Sequence, residues 1–231
     1  MENTKNIRPV ARIRTDFKSK FGVPRQSGLV DELCATVVFE PEFRNADALR
    51  GLEDFSHIWV IWGFSDAKYS GSLTVRPPRL GGNRRMGVFA TRSPFRPNEL
   101  GLSSLRLLEI RETEDEGTVL IVSGADMKDG TPIYDVKPYL PYTDSHPEAV
   151  GGFAAPLLDY ALRVDFPEEL LSKLPESKRA AAVAVLRQDP RPAYQEDPTR
   201  EYGFNFAGYE IEFTVKGDLL TVFRVTCPLG K

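Results

Sequence analysis

From residue 10 to residue 142 the chain is a series of short apolar or alternating runs separated by Gly- and Pro-containing breaks. Residues 10–14 (VARIR) alternate apolar and charged positions, the period-2 pattern of a half-buried strand. Residues 34–39 (CATVVF) are mostly β-branched and apolar and predict a buried strand. Residues 57–64 (HIWVIWGF) form the most apolar run, hold both tryptophans, Trp59 and Trp62, and predict a central strand. Residues 85–91, 104–111 and 118–123 predict further strands, and residues 133–136 a short one after a turn at Asp129 and Gly130. Residues 16–26 and 65–72 predict loops, and residues 42–52 a short helix or turn. No long stretch keeps a 3.6-residue period. The expected fold is therefore mainly β, an antiparallel or mixed sheet closed into a barrel or folded into a sandwich.

The pattern changes across residues 143–155, which predict a linker. Beyond it, residues 167–174 and 176–188 predict helices, with Pro167 suited to a first turn and KRAAAVAVLRQ rich in helix formers. DPRPAY at residues 189–194 stops the second helix. Residues 204–215 and 219–226 predict a hairpin across Lys216, Gly217 and Asp218. The expected organisation is a β-barrel over residues 1–142, a linker over 143–155 and a small α+β unit over 156–231.

Composition narrows the function classes. The chain has 231 residues, 41% of them hydrophobic, and a formal net charge of -3. Cys34 and Cys227 are its only cysteines, too few for a disulfide framework, so a reducing, cytoplasmic compartment is expected. The N-terminal segment lacks the apolar run of a signal peptide, and no apolar stretch is long enough to span a bilayer, so no membrane role is expected. With His57 and His146 as the only histidines, a multi-histidine metal site is excluded and no metal is expected. His57, at the head of an apolar strand, reads as a hydrogen-bonded structural residue. There is no G-x-G-x-x-G and no P-loop, which argues against a dinucleotide-type α/β fold.

Positive charge is nevertheless concentrated. Residues 76–106 hold seven arginines (Arg76, Arg79, Arg84, Arg85, Arg92, Arg96 and Arg106) against one acid, Glu99. Guanidinium groups make planar, bidentate contacts with phosphate and carboxylate, while Gly and Pro shape the loop that presents them. The stretch predicts a strand, GVFATR, running into a rigid loop that faces a polyanion; a solvated Arg/Pro loop is the plainer alternative. Asp126, Asp129 and Asp135 lie close in sequence to Lys137 and Tyr139 and read either as a carboxylate cluster for catalysis or, around Asp129, as a tight turn. In DPRPAY, Arg191 and Tyr194 on a stiff segment suit phosphate contact and base stacking. The acids around them, Asp189, Glu196, Asp197 and Glu201, equally suit locking Arg191 in an intramolecular pair.

GVFATRSPFRPNELGLS followed by GADMKDGTPIYDVKPYLP resembles the paired signature of the TrmO (TsaA-like, YaeB-like) tRNA methyltransferases. KFGVPRQSGLV, LEDFSHIWVIW, VRPPRLGGN and DPRPAY are also similar, so the resemblance spans nearly the whole chain in order. It implies an enzyme that uses S-adenosylmethionine to methylate N6 of N6-threonylcarbamoyladenosine beside the anticodon of tRNA. It implies a β-barrel cofactor domain and a homodimer. The family's cofactor contacts fall on Arg25, Gln26, Ser27 and Gly28, on Arg92, on Leu102, and on Ser123, Gly124, Ala125 and Asp126. Ser65 and Asp66, at the position of the family's His-containing pair, are further candidates for cofactor contact, and Glu99 stands where the family more often carries Pro, a change expected to loosen the loop. Asp126, Asp129, Asp135, Lys137 and Tyr139 are the candidates for catalysis. Arg96, Asn98, Arg191 and Tyr194 are those for tRNA, with Arg92, Arg96 and Lys137 as cations for the substrate carboxylate. Because the segments up to residue 142 contain the whole cofactor signature, the later unit is expected to have no cofactor role. The competing readings are a non-catalytic RNA-binding barrel and a regulatory protein that senses S-adenosylmethionine.

Overall fold

The computed structural model describes residues 5–77, 84–157, 160–191 and 197–227, with side chains except at residues 155–157. Six strands make the larger sheet: β1 (Ala11–Arg14), β2 (Cys34–Phe39), β3 (His57–Gly63), β6 (Leu100–Thr113), β7 (Gly117–Ser123) and β8 (Pro132–Pro138). They pair in the order β1-β2-β7-β6-β3-β8, a closed barrel in which every neighbouring pair is antiparallel. The closing seam is short, Ala11 opposite Ile133 and Arg12 opposite Pro132. Alternation fills the interior: Ile13, Val37, Ile58, Val60, Leu105, Leu120, Val122 and Ile133 are fully buried there. Burial of one such side chain is worth about 1.5–3 kcal/mol.

One expectation about this half changes. Residues 85–91 are not one strand. Only Met86–Gly87 (β5) is extended, paired with Thr74–Val75 (β4), and Val88–Ala90 turns as a 3-10 helix. Among the described residues this ribbon has two strands only, and Phe89 is 76% exposed. Residues 42–52 lie in a string of 3-10 turns (Pro41–Phe43, Ala46–Leu49 and Leu52–Asp54).

After a single helical turn, α1 (Pro141–Asp144), the second sheet runs β10-β11-β12-β9, formed by β9 (Arg163–Asp165), β10 (Tyr202–Phe206), β11 (Tyr209–Lys216) and β12 (Leu219–Thr226). The single strand predicted over residues 204–215 is two, because Ala207 and Gly208 both have positive φ (52° and 82°), the backbone of a two-residue hairpin turn. β9 pairs in parallel with β12. The first helix is cut to α2 (Glu168–Leu171), and the second, α3 (Glu176–Arg187), buries Ala181, Ala182, Val185 and Leu186 on one face.

The core under this sheet is not made by the later residues alone. Phe17, Val30 and Leu33, which precede β2, are buried in it together with Phe204, Phe206, Phe213 and Leu186. Phe204 packs so closely on Gly22 that a Cβ there would come within 2.6 Å of its ring. The Ala207 amide donates to the Asp16 carbonyl at 2.9 Å, and Lys178 pairs with the Asp16 carboxylate at 2.6 Å. The basic loop of residues 16–26 is thus a packed connection, and the boundary at residue 142 does not separate the two cores.

Candidate active site

The register of the barrel lines up three rows of outward side chains across neighbouring strands. His57, Arg106 and Ser123 share one row, Trp59, Ser104 and Lys137 the next, and Ile61, Leu102 and Asp135 a third. The inward side of the same strands carries a polar relay. The Trp62 indole donates to Ser103 Oγ at 2.9 Å, and Ser103 Oγ donates to Asp126 Oδ1 at 2.6 Å. Gly101 makes this possible: a Cβ there would lie 2.3 Å from the Trp62 ring.

Two loops meet where β7 ends. The Gly28 amide donates to the Gly124 carbonyl at 2.9 Å, and the Gly124 amide to the Leu33 carbonyl at 3.1 Å. Both glycines have positive φ, and a Cβ on Gly124 would stand 3.1 Å from the Gly28 nitrogen, so glycine is needed for this backbone approach. Ser123 and Ala125 are buried beside them. Arg92 reaches the same place and donates to the Gln26 side-chain oxygen at 2.5 Å. Asp126 is half-buried among these groups. Burial raises its pKa above the ordinary carboxylate value, opposed by the Ser103 hydroxyl, by backbone amides of Asp126 and Ser27, and by the Arg92 charge. Next to it an open cleft of about 500 Å³ is lined by Ser27, Gly28, His57, Ser104, Arg106 and Ser123.

The cofactor residues expected from the resemblance therefore gather in part. Arg25 to Gly28, Arg92 and Ser123 to Asp126 converge, and Leu102 lies on the outward face of β6, 52% exposed. Asp66 is tied to Lys128 at 2.7 Å, which lowers its pKa, and Ser65 lies beside it on the same exposed loop. The expected carboxylate cluster does not form. Asp129 accepts from Lys18 at 2.6 Å and from the Thr15 amide at 3.1 Å, and Asp135 pairs with Lys137 at 2.9 Å on the outer face. The three carboxylates thus have three separate sets of partners, and among the described residues no group of acids, histidines and cysteines could hold a metal. Tyr139 packs its ring 5.6 Å from that of Trp59, whose indole donates to Asp144 at 2.7 Å.

In the arginine loop, Arg96 donates to the Thr91 carbonyl at 3.1 Å, and Asn98 is exposed. Glu99 fastens this loop instead of loosening it. Its amide donates to the Arg96 carbonyl, its carbonyl accepts from Phe64, and its carboxylate accepts the Tyr69 amide at 2.6 Å. Its φ of 36° and its donated amide are both closed to proline.

In the later unit Arg191 is held by a bidentate pair with Asp189 at 2.8 Å through both nitrogens, with side chains only 11% and 12% exposed, and the Tyr160 hydroxyl donates to the same carboxylate. The intramolecular alternative for Arg191 is the one observed; Tyr194 lies outside the described residues. Arg25 donates to the carbonyls of Asp189 and Arg191, at 3.4 and 3.0 Å, so the later unit holds a residue expected to contact the cofactor. Sequence reasoning missed Ser103 and assigned His57 a structural role only. Its Nδ1 lies 2.9 Å from Ser56 Oγ, but the ring is exposed in the cleft. A polar residue in an inward strand position was the available signal for Ser103.

The chain matches two family models, the tRNA-methyltransferase O N-terminal domain over residues 12–145 and the TrmO C-terminal domain over residues 159–227. It is 42% identical over 211 residues to tRNA (adenine(37)-N6)-methyltransferase of Escherichia coli (strain K12), covering 88% of each chain. A protein of the same name from Eikenella corrodens is 49% identical over 178 residues, 76% of this chain and 99% of that one. A crystal structure of TrmO from Pseudomonas aeruginosa superimposes with a TM-score of 0.75 at 32% identity, covering 96% of this chain and 99% of that one.

Proposed function

The chain belongs to the TrmO family, and from that premise we propose that it transfers the methyl group of S-adenosylmethionine to N6 of adenine 37 in tRNA, on a base that carries a threonylcarbamoyl group at that nitrogen. The observation that carries the reading is the stitched pair of loops around Asp126: Ser27, whose amide faces the half-buried Asp126 carboxylate, and Gly28 line a polar cleft, while the Arg92 guanidinium holds Gln26 of the same loop. The cleft volume falls in the roughly 300–1,000 Å³ range of small-molecule sites. Gly28 fits a close-lying ligand, since open space surrounds the place of its missing Cβ. Arg25 to Gly28, Leu102 and Ser123 to Asp126 would hold S-adenosylmethionine, which supplies an electrophilic methyl group.

The residues of this chain then have three tasks. The lone pair of N6 is delocalised into the purine ring and the carbamoyl group, so the nitrogen must be positioned in line and must lose its proton. Asp126, oriented by Ser103 and Trp62, is the proton acceptor in this reading. Arg92 fixes the Gln26 loop and stabilises the ionised carboxylate. Arg76, Arg84 and Arg85 are exposed along the arginine stretch and suit phosphates of the anticodon loop. Residues 1–142 hold the reacting groups and residues 156–231 contribute to tRNA contact. Phe89 and Phe95, 76% and 50% exposed, are the apolar side chains this reading assigns to a homodimer contact. We place the protein in the cytoplasm; among the described residues no helix is long and apolar enough to cross a membrane.

The test is methyl transfer from labelled S-adenosylmethionine to tRNA with and without the threonylcarbamoyl group. The modified tRNA should be the substrate. Arg92→Ala should keep its melting temperature and lose about tenfold or more in cofactor or substrate affinity, the scale of a charge-assisted hydrogen bond. Cofactor binding without transfer to any tRNA would leave a sensor in place of an enzyme.

A further inference from the structure

We propose that Arg106 is the specificity-determining residue for the substituent on the target base, and that its guanidinium receives the carboxylate of the threonylcarbamoyl group in the cleft beside Asp126. This rests on the methyltransferase reading given above. Arg106 differs from the other candidate cations in its partners. The three that sequence alone nominates for that carboxylate are all engaged: Arg92 with Gln26, Arg96 with the Thr91 carbonyl, Lys137 with Asp135. Arg106 forms no ion pair or hydrogen bond among the described residues, although an acid, Asp31, lines the same cleft.

Its place in the sheet fixes where that unpaired charge lies. Arg106 sits between His57 on β3 and Ser123 on β7, in the outward row of the barrel, and lines the cleft with both. Ser103, three residues earlier on the same strand, holds Asp126 from the inward side. One strand therefore carries, on opposite faces, the group that orients the proton acceptor and the cation. In this reading the N6 substituent of a base presented at Asp126 extends past Ser27, whose amide faces Asp126 and which lines the cleft, toward Arg106. That substituent ends in a carboxylate and carries a hydroxyl. A guanidinium flanked by the Ser104 hydroxyl and the His57 ring matches both, and the planar fork of Arg suits a carboxylate better than a point charge would.

The test compares Arg106→Gln and Arg106→Lys with the wild-type protein on two tRNAs, one bearing the threonylcarbamoyl acid and one with that carboxylate converted to a carboxamide. Wild type should prefer the acid. Arg106→Gln should raise KM for the acid by on the order of 10- to 100-fold, remove the preference over the amide, and leave S-adenosylmethionine affinity and the melting temperature unchanged. Arg106→Lys should restore part of the preference. Two outcomes assign the anion to another source and overturn the proposal. A fall in S-adenosylmethionine affinity with the acid preference intact would place the cofactor's own carboxylate on Arg106. A salt dependence of tRNA binding reduced by about one phosphate, again with the preference intact, would place a backbone phosphate there. An unchanged KM overturns it outright. Failure of the wild-type protein to methylate either tRNA removes the methyltransferase reading itself, and the proposal with it.

Discussion

Burial pushes the Asp126 carboxyl up while Ser103, two backbone amides and Arg92 act in the other direction, and burial prevails. A carboxyl with a higher pKa folded than unfolded contributes stability that is fully present below the unfolded value and is lost as pH rises through the folded one. Near neutrality, then, Asp126 is a charge the fold carries at a cost. Asp126→Asn keeps an oxygen for the Ser103 hydroxyl and removes that cost. Thermal melts should show the variant more stable than wild type at pH 7, with the gain shrinking as pH falls into the carboxylate range, while methyl transfer is lost. A gain of equal size at every pH would mean that burial is not the source of the cost. In sequence, Asp126 could not be told from Asp129 and Asp135. Spacing along the chain does not report that one lies against an inward serine, one beside Lys18 and one on the outer face.

At the level of elements, the arginine loop is shaped less by its prolines than by one acid. Glu99 takes a left-handed backbone and joins residues 64, 69 and 96 through its amide, carbonyl and carboxylate. Glu99→Ala should lower stability by about 1.5–3 kcal/mol, the worth of a hydrogen bond to a charged group, measured by denaturant unfolding. The same variant should raise KM for tRNA while leaving the relay at Asp126 intact. No loss of stability would mean that the loop is held elsewhere. The strands of the barrel were legible because each buries one face and so alternates or runs apolar. The elements that were misread lack that signal. β9 has three residues and takes its place from β12, residues 88–90 turn as a 3-10 helix with Phe89 exposed, and the break at Ala207 lies inside an otherwise continuous apolar pattern.

Over the whole molecule, the segment that carries Arg25 to Gly28 is seated on a core whose other members come from residues 162–225. A fragment of residues 1–142 would expose Phe17, Val30 and Leu33 and leave Arg25 without the Asp189 and Arg191 carbonyls. Calorimetric titration should show that this fragment, where it retains β structure by circular dichroism, binds S-adenosylmethionine at least tenfold more weakly than the full chain, a loss on the scale of one hydrogen bond to a charged group. Equal affinity would show that the loop holds its shape unaided. The shared core also has a consequence in time. At roughly 5–20 residues per second, a ribosome needs about 10–40 s to travel from Leu33 to Val225. For that interval the segment bearing Arg25 has emerged with nothing to settle on. A nascent or prematurely terminated chain has no seat for this loop, so its settling waits on synthesis of the later core residues.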